Sequence, residues 1–68
     1  MNKFAERLKE LRSENGLTQT ELAKKTGVSQ AAIAKWESGD RTPNLDCLII
    51  LAKFFNVTLD YLVGLKDF

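Results

Sequence analysis

The side chains best suited to chemistry in this chain stand between Ser29 and Lys35, in the run SQAAIAK. At about 100° per residue, a helix there turns Gln30, Ala31, Ala34 and Lys35 to one side and Ala32, Ile33 and Trp36 to the other. The first side carries an amide, an ammonium group and two alanine methyls, with the Ser29 hydroxyl at its rim. Such a set suits recognition of base edges rather than bond breaking. Glutamine can hold adenine through two hydrogen bonds, lysine can donate to guanine, and alanine can rest against the methyl of thymine. Short alanines also let a helix backbone come close to a groove floor. An ordinary solvated helix face has a similar composition, so the meaning of this one depends on its flanks.

Catalysis finds little support. The chain has no His and one Cys, so it can build neither a histidine-based triad nor a Cys/His metal site. Cys47 falls in an apolar helical turn, where thiols are usually inert. Asp46 and Asp60 are isolated carboxylates near helix starts, where they complement the dipole. No glycine-rich phosphate loop is present. The sequence therefore predicts no enzyme, no metal and no cofactor.

The elements that would position the Ser29–Lys35 face are legible. Thr18 can cap a helix while Glu21 reaches back to the cap's own N–H, a capping box. Leu22 and Ala23 follow on the inner side. Gly27 then tolerates the left-handed backbone that stops the helix and swings the chain round. Ser29 can cap the next helix, which runs to about Glu37 and stops at Gly39. Two short helices joined by a tight Gly-containing turn form a helix-turn-helix. Ala23 is small where the axes pass close, and Val28 is an apolar plug in the turn.

The remaining segments also read as helices. From Asn2 to Asn15, Phe4, Leu8 and Leu11 share one face, while Lys3, Glu6, Arg7, Lys9, Glu10 and Glu14 read as a charged solvent surface. Residues 40–44 form a loop, with Asn44 or Thr42 able to cap a helix over Leu45 to Phe55. On that helix Leu45, Leu48, Ile49, Ala52 and Phe55 cluster on one side, with Leu51 at the edge. Cys47, Ile50 and Phe54 cluster nearly opposite. Thr58 caps a short last helix through about Leu62, and residues 65–68 are expected to fray.

Taken together, Thr18, Gln19, Glu21, Leu22, Ala23, Gly27, Val28, Ser29, Ile33, Glu37 and Gly39 resemble the Cro/repressor (XRE) family of phage and bacterial helix-turn-helix regulators. Pro43 and the run from Leu59 to Leu62 support the likeness. The resemblance implies an all-α, five-helix, lambda-repressor-like DNA-binding domain, a single domain over residues 1–68 with its core at about 4–62. It implies sequence-specific binding of double-stranded DNA by a transcriptional regulator, a repressor acting by blocking polymerase. Base reading falls to Ser29, Gln30, Ala31, Ala34 and Lys35. Thr18 and Gln19, at a helix start rich in free N–H groups, would hold phosphates, as would the loop cation Arg41. In the family an Arg matching Arg12 pairs with a Glu matching Glu37, which ties the first helix to the end of the third.

Composition sets the bounds. Sixty-eight residues with 44% hydrophobic content make one small folded domain. The net charge of +1 is modest for a nucleic-acid binder. Its distribution helps slightly: residues 1–45 hold eight Lys/Arg against six Asp/Glu, and residues 46–68 hold two against three. The longest apolar run, Cys47 to Ala52, is too short to cross a membrane, and a cytoplasmic location is expected. One reading helix covers few base pairs, so a homodimer on a pseudo-palindromic site is expected, its half-sites about 34 Å apart. The apolar side chains Cys47, Ile50, Phe54 and Tyr61, with Phe68, offer a subunit contact. The family more often has polar or small residues where Ile50 and Phe54 stand. The alternative is a protein-binding module of the same fold, such as an antitoxin, that uses this patch for a protein partner.

Overall fold

A computed structural model describes residues 3–67. Asn2 and Phe68, which figure in the expectations above, lie outside them. The described residues form α1 (Phe4–Glu14), α2 (Gln19–Thr26), α3 (Gln30–Ser38), α4 (Leu45–Phe55) and α5 (Leu59–Val63). None of these helices is long and apolar enough to cross a membrane.

Local chemistry fixes most of the boundaries. The Thr18 hydroxyl accepts from the N–H of Glu21, and the Glu21 carboxylate accepts from the N–H of Thr18, which completes the capping box. Ser29, Asn44 and Thr58 cap α3, α4 and α5 in the same way, each accepting from the backbone N–H three residues on. Gly27 ends α2 at φ 81°, a conformation that costs a side chain dearly. Gly64 ends α5 at φ 88° and is also crowded: a Cβ there would sit 2.8 Å from the Cβ of Lys3.

Each helix contributes one side chain with no exposed surface: Leu8, Leu22, Ile33, Leu51 and Leu62. Those five define the centre. Phe4, Leu11, Trp36 and Ala52 complete the buried core, with Phe4 meeting Trp36 edge-to-face at 6.2 Å.

Two expectations change. The inward face of α4 takes in Leu51 rather than having it at the edge. Leu51 and Ala52 are buried, Leu48, Phe55 and Cys47 pack against the core, and Leu45 is 63% exposed. The helix is therefore turned by about two-thirds of one residue step from the expected orientation. α4 packs on both α5 and α2. The second change concerns Arg7, which is buried rather than solvated. Its guanidinium donates to the carbonyl oxygens of Tyr61 (2.8 Å) and Lys66 (3.1 Å), pairs with Asp67 at 3.3 Å, and lies 4.1 Å from the centre of the Tyr61 ring. The same contacts hold residues 65–67 against α1, where fraying was expected. Leu65 and Lys66 also donate their N–H groups to the Asp60 carbonyl.

Candidate nucleic-acid interface

The outward face of α3 is set by what holds the helix from below. Ile33 and Trp36 are buried, Ala32 packs against the core, and α3 lies on both α1 and α2. The helix can therefore neither roll nor slide without opening the core. On its other side Ser29, Gln30, Ala31 and Lys35 are exposed, while Ala34 is half-buried. Beyond α3, a cleft of about 420 Å³ separates it from the loop that leads to α4, and its walls include Ala31, Lys35 and Arg41. The side chains of Lys35 and Arg41 make no ion pair among the described residues, which leaves two cations beside the outward face of α3.

Behind the face runs a connected set of polar side chains. Arg12 on α1 donates through Nε to Glu37 Oε2 at 2.7 Å and through Nη2 to Oε1 at 3.0 Å. Its third contact is to the Leu17 carbonyl at 2.8 Å. Gln19, the first residue of α2, donates to Glu37 Oε1 at 3.2 Å. Gln30, the first residue of α3, donates to Gln19 Oε1 at 2.9 Å. The chain Arg12–Glu37–Gln19–Gln30 thus runs from a buried ion pair out to the exposed face of α3. Gln19, read from the sequence as a phosphate contact, is half-buried and uses both ends of its amide inside the protein. Thr18 is exposed, with its hydroxyl committed to the cap.

The four apolar side chains expected to form one subunit contact are divided. Cys47 lines the cleft beside α3, and Tyr61 lines a second cleft of about 400 Å³ with Leu11 and Val57. Both pack against their own core. Ile50 and Phe54 are exposed at 39% and 37%.

Electrostatics follow from the contacts. Glu37 is the more deeply buried member of its pair, its side chain 3% exposed against 17% for Arg12. Burial opposes its charge, but hydrogen bonds from Arg12 and Gln19 outweigh burial and hold the carboxyl below the usual carboxylate range. In return the hydrogen bond to Glu37 raises Arg12. Hydrogen bonds from Thr18, the backbone N–H first, lower Glu21. A carboxyl lowered in the folded state stabilises the fold above its unfolded pKa and loses that contribution as pH falls through the folded value. Stability should therefore hold steady from pH 7 to about pH 5 and decline below about pH 4.5. Glu37→Gln should make that decline shallower in urea unfolding measured across the acid range; an unchanged slope would count against a lowered Glu37.

The geometry defines a class: a small helical domain with a rigid helix-turn-helix whose second helix is anchored on one face and open on the other. The family model for helix-turn-helix proteins matches residues 8–62, and the chain belongs to that family, in its Cro/repressor-like (XRE) group. It is similar to the HTH-type transcriptional activator BcrR of Enterococcus faecalis, 48% identical over 61 residues covering 90% of this chain and 30% of BcrR. It is also similar to the uncharacterized HTH-type transcriptional regulator YobD of Bacillus subtilis (strain 168), 38% identical over 64 residues, 94% of this chain and 57% of YobD. The chain spans less than two-thirds of either regulator. Among solved structures, the P22 c2 repressor in complex with a synthetic operator superposes with a TM-score of 0.82 at 35% identity, covering 88% of this chain and 91% of that one.

Proposed function

We propose that this chain binds double-stranded DNA sequence-specifically by laying α3 in the major groove, and that it regulates transcription. The single observation that carries this reading is the two-sided character of α3: Ile33 and Trp36 locked into the core, Ser29, Gln30, Ala31 and Lys35 open to a partner. Ser29, Gln30, Ala31 and Lys35 meet base edges, and Ala34 contributes a surface low enough for close approach. The start of α2 at Thr18 and Gln19, through its backbone N–H groups rather than the committed side chains, and Arg41 across the cleft flank the groove and hold phosphates. The structural likeness to a repressor bound to operator DNA supports this placement.

The regulatory role is repression where the bound domain obstructs polymerase, and the place of action is the cytoplasm. A homodimer supplies the second half-site on a pseudo-palindromic operator, with exposed Ile50 and Phe54 as its apolar contact. The same two side chains favour the second reading, a module that also engages a protein partner such as a toxin. Sedimentation with and without operator DNA separates these readings. A concentration-dependent dimer supports the homodimer, and a monomer at hundreds of micromolar in both states removes it.

Selection from random duplexes gives the preferred sequence, and base-by-base competition then tests the face. Gln30→Ala should lose discrimination at one or two positions by about 1–3 kcal/mol while leaving the others intact. Equal weakening on every duplex would overturn the assignment of Gln30 to base reading.

A further inference from the structure

The polar chain behind α3 has a direction, and its charged end imposes it. An ionised carboxylate offers no hydrogen, so Glu37 can only accept. Gln19 must therefore turn its Nε2 toward Glu37, and the 3.2 Å contact has that sense. Its Oε1 is then left facing Gln30, which must present Nε2 in turn, at 2.9 Å. One hydrogen of the Gln30 amide is spent on Gln19. The second hydrogen lies on the nitrogen beside Gln19, and the carbonyl oxygen lies on the branch away from it. The order of donor and acceptor that Gln30 shows to a base is thereby fixed. Arg12, held by Glu37 through two bonds and by the Leu17 carbonyl, keeps the carboxylate in place at the inner end.

We infer that Glu37 is a specificity-determining positioning residue: through Gln19 its carboxylate sets which way round the Gln30 amide faces the base edge. The inference rests on the assignment of Gln30 to base reading. Glu37 touches no base. In Glu37→Gln the obligation disappears, because the amide that replaces the carboxylate could donate or accept. Gln19 and Gln30 would then populate both orientations, and the two orders of donor and acceptor would match different bases. A phosphate-binding role for Gln19 alone makes no such demand, since loss of a backbone contact weakens all sequences alike.

The test compares wild type with Gln30→Ala, Gln19→Met and Glu37→Gln on duplexes carrying each base at the position where Gln30→Ala removes discrimination. Gln19→Met and Glu37→Gln should each reduce the preference there by about tenfold and leave preferences elsewhere unchanged. Side-chain amide resonances of Gln19 and Gln30, recorded without DNA, supply an independent readout. In wild type one Gln30 Nε2 proton should be shifted downfield and protected from exchange, and both signatures should vanish in the two variants. Gln19→Met leaves the Arg12–Glu37 pair intact, so it carries the test even where Glu37→Gln fails to fold. The inference is overturned if Gln19→Met weakens every duplex equally with base preference retained, or if the Gln30 amide is unchanged by Glu37→Gln. A Gln30→Ala variant with undiminished discrimination would instead overturn the base-reading assignment, and the amide resonances would still decide whether the relay exists.

Discussion

Arg12→Met should destabilise the domain by about 3–5 kcal/mol, because it leaves the Glu37 carboxylate buried without its cation. The loss is comparable with the whole stability of a small domain, so a largely unfolded protein at room temperature is an acceptable form of this result. Arg12 holds Glu37 in two bonds, and the Glu37 side chain is only 3% exposed. Much of the penalty is the cost of stranding a charge, not the net worth of the pair. Arg12→Met combined with Glu37→Met should therefore recover most of the stability, since well-packed apolar groups often replace a buried ion pair at no net cost. Urea unfolding of the two single variants and the double variant measures the coupling directly. A single-variant cost below about 1 kcal/mol would mean that the pair behaves as a surface salt bridge. The double variant also has a functional consequence. It should fold and still lose preference at the base that the proposal assigns to Gln30, because no carboxylate remains to orient Gln19.

Ile33→Ala should cost about 2–5 kcal/mol, as expected for deleting a fully buried aliphatic side chain. Ile33 has no exposed surface and is the α3 member of the five-residue centre, so the cavity opens directly beneath the reading helix. The thermal midpoint should fall steeply, and saturating cognate duplex should restore part of it, because a ligand that binds only the folded state stabilises it by mass action. A non-cognate duplex should restore less. The comparison separates a helix that is merely less stable from one whose outer face has been disordered. Failure of cognate DNA to raise the midpoint at all would mean that the folded variant no longer binds it, the result expected if loss of Ile33 disorders the outer face of α3; a rise as large with non-cognate as with cognate duplex would count against α3 as the reading helix.

The parts of this molecule that were readable in advance are those governed by neighbours in the chain. Thr18 with Glu21, Ser29 and Thr58 act over three residues, and Gly27 acts at its own backbone, so their effects are written locally. The inner and outer faces of α3 follow from helical period alone, since Ile33 and Trp36 recur three residues apart on one side while Gln30 with Ala34 and Ala31 with Lys35, each four apart, fall on the other. Arg7 shows a signal that was available and outweighed. It lies three residues from Phe4 and four from Leu11, on the apolar face of α1, yet charge suggested solvent. What the period could not supply was a set of carbonyls for its guanidinium, and those come from Tyr61 and Lys66, more than fifty residues away.

The sequence by itself determined the five helices, the turn between α2 and α3, and which residues α3 offers outward. Each of these depends on short-range capping, backbone freedom and the 3.6-residue period. Only the tertiary structure decided the roll of α4, the burial of Arg7 and the partners of Gln19. α4 is apolar on more than one side, so its period leaves several orientations nearly equal, and contact with α2 and α5 selects one. Gln19 has an amide that could as well face solvent or a phosphate. Its role is set by where folding brings the Glu37 carboxylate and the Gln30 amide, and hydrogen-bond direction cannot be assigned until both partners are in place.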